Sequence, residues 1–270
     1  TINRLCGSSL QTINQAAHAI LAGAEDVQIV GGVEHMHHVP MGHAISLNPK
    51  LYKQTSPAAM QMGLTAEFLA QSQGITRDEQ DAFAMQSHQR ASAAQQAGLF
   101  QTEIVPVHGR NEQGERALLA VDQCIRSDTS LASLARLNPA FVPGYGTVTA
   151  GNSSPLNDGA AALLIMSSER AEELGLQPLV KIRSTAVAGV PPCIMGTGPV
   201  PATQKVLARR GLSLNDIDLV EINEAFAVQT LTCARQLKLD PERLNVHGGA
   251  LAIGHPLGAS GARIATTLIH

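Results

Sequence analysis

Apolar residues recur at three- and four-residue spacing over residues 8–21, where Leu10, Ile13, Ala17, Ile20 and Leu21 share one face. This spacing predicts a helix, with Gly23 as its stop signal. Residues 27–30 read as a short buried strand closed by Gly31-Gly32. From Glu34 to about Tyr145 Pro, Gly, Met and His break the pattern, and a single long helix stands out. It opens at Thr76 with Glu79 three residues on, the spacing of a capping box, and ends near Gly98. A long irregular stretch of this kind predicts a loop-rich insertion that carries function.

Regular patterning returns at residues 146–149 and in the apolar run 160–166, followed by a helix at 168–174 stopped by Gly175. A second unit is predicted from a strand at 180–184, a helix at 201–210 stopped by Gly211, and Ser213 with Asp216 as a further cap. A strand at 219–222 then leads into Asn223-Glu224-Ala225-Phe226, which opens the next helix. Residues 247–261 form a glycine-rich loop entering a terminal helix. Alternating helices and strands indicate an α/β architecture. The turns at Cys6 and Asn223 read as equivalent points in two similar halves, although no exact repeat supports this.

Composition narrows the classes. Aromatic residues make up 3% and tryptophan is absent, so the core is built from Ala, Val, Ile and Leu. A net charge of −3 with no basic run argues against a nucleic-acid partner. Four scattered cysteines without Cys-x-x-Cys spacing suit a reducing compartment. No stretch is apolar and long enough to span a bilayer. With no initiator methionine and an apolar stripe ending uncapped at His270, both edges are expected to cut through a larger fold.

Three positions are candidates for chemistry. Cys6 precedes a helix start, where unpaired N–H groups and the positive dipole end favour thiolate over thiol. The alternative is a buried cysteine acting as a small hydrophobe. His255, held between Gly254 and Pro256, is either a satisfied core histidine or an acid–base group able to take the Cys6 proton or donate to an oxyanion. Asn223 is either a helix cap or an amide that holds a water or a substrate oxygen at a strand's C-terminal edge. His35, His37, His38 and His43 invite a zinc site, but no metal-ligand spacing accompanies them and they read as lid histidines, with no metal expected. Arg126, Arg136, Arg209 and Arg210 are either solvated charges or contacts to a phosphate-bearing ligand.

Together these residues resemble the thiolase family. The likeness rests on Asn3-Arg4-Leu5-Cys6-Gly7-Ser8-Ser9, Gly31-Gly32-Val33-Glu34, Met62-Gly63-Leu64-Thr65-Ala66-Glu67 and Pro139-Ala140-Phe141. It continues through Gly146-Thr147-Val148-Thr149-Ala150-Gly151-Asn152-Ser153-Ser154, Asn157-Asp158-Gly159-Ala160-Ala161, Asn223-Glu224-Ala225-Phe226-Ala227 and Gly254-His255-Pro256-Leu257-Gly258. The segment from Glu34 to Met41 further resembles the β-subunit thiolase of the bacterial fatty-acid oxidation complex.

The resemblance implies a five-layered αβαβα thiolase fold with two related halves and an inserted loop domain. The parts are residues 1–36 and 147–177 for the N-terminal half, 37–146 for the loop domain over the CoA site, and 178–270 for the C-terminal half. It implies thiolytic cleavage of 3-ketoacyl-CoA, with Cys6 attacking the 3-keto carbon and His255 assisting. His255 and a water on Asn223 would hold the acetyl-CoA enolate. Coenzyme A enters as substrate, and no cofactor is implied. By position, Arg126, Ser133 and Ser154 would contact CoA, while Met62, Phe141 and Phe226 line its channel. A homodimer, a hydratase/dehydrogenase partner subunit and a bacterial cytoplasmic location are implied too. A biosynthetic acetoacetyl-CoA thiolase and a non-catalytic binding protein are the alternatives. A Cys-His hydrolase is disfavoured, because no orienting carboxylate or amide is evident beside His255.

Departures from the family pattern are Gln61, Asn138 and the absence of a second cysteine in Cys-x-Gly. Cys124, Cys193 and Cys233 are followed two residues later by Arg126, Met195 and Arg235. The chain by itself is therefore expected to be inactive.

Overall fold

The computed structural model describes residues 1–43, 46–111 and 113–270. Helix α1 spans Ser8–Leu21 as its apolar spacing predicts, and the chain leaves it through Gly23 at φ +70°. Strand β1 (Val27–Glu34) runs past the two glycines expected to end it and pairs antiparallel with β4 (Gly159–Met166). The glycines are there for proximity. A Cβ on Gly32 would strike the Gly258 carbonyl oxygen and lie 2.7 Å from Ser9 Cβ and 2.9 Å from Ala259 Cα. Three segments thus meet at one backbone position. On the covered face of this ladder Ile13, Ala16 and Val30 form a small core with Leu163, Ile165 and Ala265, so α1 and the terminal helix α9 (Ser260–Ile269) pack on the same side.

The middle of the chain is more helical than its irregular pattern suggests. Besides α3 (Arg77–Gln96) it contains α2 (Met62–Gln73) and the short α4 (Leu131–Ala135), with a hairpin of β2 (Val107–Arg110) and β3 (Arg116–Leu119). The cap on α3 is a full capping box: Thr76 N–H donates to Glu79 Oε2 at 2.8 Å and Glu79 N–H to Thr76 Oγ1 at 3.2 Å. Helix α2 escaped the periodicity because its buried face is built partly from Gly63, Thr65 and Ala66, which carry little apolar contrast.

Helix α5 covers Ser168–Glu173 and α6 Pro199–Ala208, close to expectation. The strand expected at 180–184 does not form: 180–191 is irregular, and Leu179 and Val180 are exposed with no ladder partner among the described residues. Residues 219–222 form one parallel bridge, Val220 to Leu244. Helix α7 spans Ala227–Leu237 and packs Val228 against Ala66, Leu69, Ala70, Ile75 and Val148. The glycine-rich loop contains a one-turn helix, α8 (Ala250–Ile253), whose Ala252 and Ile253 pack on Ala91, Ala94 and Phe100.

Candidate active site

Cys6 lies half-buried in a tight turn ahead of α1. Leu5 takes a left-handed φ of +49°, a conformation that costs a non-glycine residue about 1–3 kcal/mol. Gly7 N–H donates to Arg4 O and Ser8 N–H to Leu5 O, each at 3.0 Å. Ser8 Oγ accepts from Arg4 N–H at 2.8 Å and donates to Leu5 O at 2.7 Å. The turn therefore consumes N–H groups that a helix start would otherwise offer to the thiolate. Burial pushes the Cys6 thiol above its ordinary value, its own backbone N–H opposes this, and the Glu34 charge adds to it. The expected thiolate is thus corrected to a resting thiol: desolvation outweighs the helix terminus.

His255 is buried and held on three sides. Its N–H donates to Asn157 Oδ1 at 2.6 Å, at a bend where Gly254 has φ +106° and has Asn157 where a Cβ would stand. Its Nδ1 lies 2.6 Å from Ser260 Oγ, which is 3.0 Å from the Pro256 carbonyl. With the hydroxyl proton assigned to Pro256 O, which can only accept, the imidazole donates Nδ1–H to Ser260. Nε2 is left as the bare acceptor, 3.3 Å from Asn223 Nδ2. Burial, with the Arg263 charge, brings the ring down to about 4, so it rests neutral. An orienting group is therefore present, the Ser260 hydroxyl on Nδ1. The Asn223 amide stands beside Nε2, contrary to the expectation of no amide there.

Asn223 is not a helix cap, because α7 starts four residues later with Phe226 at its N-cap. Its Oδ1 is buried with no hydrogen-bond partner, an acceptor free for a water or a ligand donor. The flanking backbone is fixed by Asn245, which sits at φ +45°. Asn245 Oδ1 accepts from Ile222 N–H at 2.8 Å, and its Nδ2 donates to Ile222 O at 2.9 Å and to Glu224 Oε1 at 2.8 Å. The other oxygen of the fully buried Glu224 accepts from Ser87 Oγ at 2.6 Å and Leu251 N–H at 3.1 Å.

The Cys6 turn and the His255 loop adjoin without a direct hydrogen bond between the two side chains. Gly258 N–H donates to Glu34 Oε2, and Ala262 N–H to Ser9 Oγ, both at 2.9 Å. Sequence reasoning assigned no role to Ser260, Asn157, Asn245 or Glu34. Asn157 and Glu34 fell within quoted motifs and Ser260 within the glycine-rich loop, but the partners of Asn157 and Glu34 lie far along the chain.

Four of the six residues expected around CoA come together. The Phe141 ring lies on the Gly63 backbone beside Met62, which opens α2, and meets Phe226 edge-on at 6.0 Å between centroids. Ser154 N–H donates to Ala225 O at 3.0 Å, which joins it to the Phe226 segment. Glu67 fastens the neighbouring strand-like segment by accepting from Thr147 N–H at 2.9 Å and Val148 N–H at 2.9 Å. The other two make local hydrogen bonds of their own. Ser133 Oγ is engaged in the capping box of α4, accepting from Ser130 N–H at 3.1 Å, and Arg126 is exposed with its N–H bonded to His88 Nδ1 at 3.1 Å. Arg136, Arg209 and Arg210 are exposed as well. Of the loop histidines, His35 Nδ1 and His37 Nδ1 contact the Asp158 carboxylate at 2.9 and 3.1 Å, and His38 stacks on His35. Their partner is thus a carboxylate that they hold at about 2.

Two family models match in succession: the thiolase N-terminal domain over residues 1–169 and the thiolase C-terminal domain over 176–270. The chain is 54% identical to the 3-ketoacyl-CoA thiolase of Alcanivorax borkumensis and 55% identical to that of Shewanella loihica, covering all of this chain and 70% of each relative. Its structure superposes on human mitochondrial 3-ketoacyl-CoA thiolase with a TM-score of 0.90 and on the acetyl-CoA acetyltransferase of Bacillus anthracis with 0.89. Both are 42% identical to it, and the match covers all of this chain and 71% of each. A turn-borne cysteine, a neutral oriented histidine and an amide with a free acceptor, set in this α/β fold, are carried by a chain that belongs to the thiolase family.

Proposed function

We propose that this site serves thiolytic cleavage of a 3-ketoacyl-CoA by CoA, giving acetyl-CoA and a shortened acyl-CoA, with the chain supplying the acyl-carrying cysteine but no Cys-x-Gly cysteine. The observation that supports this most is the pairing of a bare His255 Nε2 with the Asn223 amide, whose Oδ1 is free. Cys6 attacks the 3-keto carbon and its proton passes to His255. The C2–C3 electron pair leaves as the enolate of acetyl-CoA, whose oxygen is held by His255 and by a water on Asn223. The Cys6 N–H faces the acyl-enzyme carbonyl. His255 then gives that proton to C2 of the enolate and, neutral again, takes the proton of the CoA thiol. The CoA thiolate takes the acyl group, and the Cys6 thiolate that leaves recovers the proton from His255. Met62, Phe141, Phe226 and Ser154 line the CoA channel, with Arg126 and Ser133 on the loop domain 37–146 that covers it. A homodimer in the bacterial cytoplasm, working with a hydratase/dehydrogenase subunit, fits this role. No helix among the described residues is long and apolar enough to cross a membrane.

The test is acyl transfer to Cys6, read as a mass increase on its peptide after exposure to 3-ketoacyl-CoA. Cys6→Ala is expected to abolish labelling and thiolysis while CoA binding persists. Retained turnover refutes the nucleophile, and absence of any label on the native chain favours a non-catalytic role. The likeness to an acetyl-CoA acetyltransferase supports a second reading, biosynthetic acetoacetyl-CoA chemistry. Activity confined to acetoacetyl-CoA selects that reading over the degradative one.

A further inference from the structure

Glu34 has no part in the chemistry just described, yet it stands between the two halves of the site. It ends β1, half-buried and paired in register with Gly159. Its Oε2 receives the Gly258 N–H at 2.9 Å, and a Cβ on Gly258 would come within 3.1 Å of that oxygen, a tight fit at this grip. The same strand end meets the start of α1 through Gly32 and Ser9. The carboxylate therefore holds the His255 loop while presenting a negative charge to the Cys6 turn.

The other charges around the pair have a consistent sense. A thiolate–imidazolium pair would put an anion near Glu34 and a cation near Arg263, like beside like in both cases. Arg263 also acts through space on the carboxyl groups of Glu103, Asp122, Glu221 and Glu224. Arg4, the remaining charge at the turn, is turned away and donates from Nη1 to Gln11 Oε1 at 2.8 Å. Burial of both reacting groups acts in the same direction as the like charges.

Resting on the assignment of Cys6 as nucleophile and His255 as base, we propose that Glu34 is a positioning residue with two actions. Its hydrogen bond from Gly258 holds the His255 loop in place, and its carboxylate opposes negative charge at the Cys6 turn, which the same strand end meets through Gly32 and Ser9.

The experiment follows Cys6 alkylation by iodoacetamide, an uncharged probe, against pH in the native protein and two variants. Glu34→Gln keeps an oxygen for Gly258 N–H but removes the charge, and Glu34→Asp keeps the charge but shortens the reach. Glu34→Gln is expected to move the alkylation midpoint to lower pH, and each tenfold gain in thiolate at neutral pH speeds the reaction by about the same factor. Glu34→Asp should leave the midpoint in place and slow acyl transfer by loosening the loop. Superimposable profiles for native protein and Glu34→Gln overturn the charge role. Should Glu34→Gln fail to fold, Glu34→Ala takes its place, and a midpoint unmoved by that loss of charge overturns the charge role. If alkylating Cys6 leaves acyl transfer intact, the nucleophile assignment itself falls, an outcome distinct from either.

Discussion

Asn245 is where the backbone beneath Asn223 is most sharply testable. Its side chain makes three buried hydrogen bonds of 2.8–2.9 Å, pairing with both backbone groups of Ile222 and with Glu224. Ile222 and Glu224 are 8% and 1% exposed, so truncation strands three polar groups away from water. At about 1–3 kcal/mol for each stranded group, and allowing for their coupling, Asn245→Ala should cost about 3–6 kcal/mol. The left-handed φ of +45° adds a separate term, since alanine pays about 1–2 kcal/mol there and glycine does not. Asn245→Gly should therefore be less damaging than Asn245→Ala by about 1 kcal/mol, although it removes the same bonds. The assay is urea unfolding followed by far-ultraviolet circular dichroism, as the chain has no tryptophan to report by fluorescence. A loss below about 1 kcal/mol for Asn245→Ala shows that water replaces the amide and refutes the reasoning. A glycine variant no better than alanine refutes the backbone term.

Two further outcomes follow from the same geometry. The His255 ring should titrate near 4, visible by NMR of labelled histidine, and an observed value at or above the ordinary 6.5 contradicts a buried neutral imidazole. Because the folded value is depressed, the stability contribution is fully present above the unfolded value of about 6.5 and is lost as pH falls through about 4, a loss of about 3 kcal/mol. Gly32→Ala should destabilise the chain by about 1–3 kcal/mol by driving a methyl into the Gly258 carbonyl, Ser9 and Ala259. It should also slow acyl transfer to Cys6, and unchanged transfer indicates that the His255 loop can shift without consequence.

The local signals in the chain were reliable wherever structure depends on neighbours in sequence. The spacing over Ser8–Leu21, the Thr76–Glu79 box and the glycine stops at positions 23, 175 and 211 all appear in the fold. Cys6 and His255 were identifiable because they stand ahead of a helix and in a rigid glycine–proline loop, local features in their own right, and Asn223 because it follows a short apolar run. Their charge states were not identifiable. A helix start argues for a thiolate, but burial and a carboxylate from a distant strand reverse that argument. Helix α2, the continuation of β1 through its glycines and the lost strand at 180–184 likewise depended on what lies across from them. The sequence by itself determined the family, the order of most elements and the three side chains proposed to form the reacting site. Tertiary structure alone decided that Ser260 sets the His255 tautomer, that Asn223 keeps a free acceptor and that Glu34 joins the two halves of the site. Hydrogen bonding and desolvation act through space, between residues that neither periodicity nor motif spacing relates.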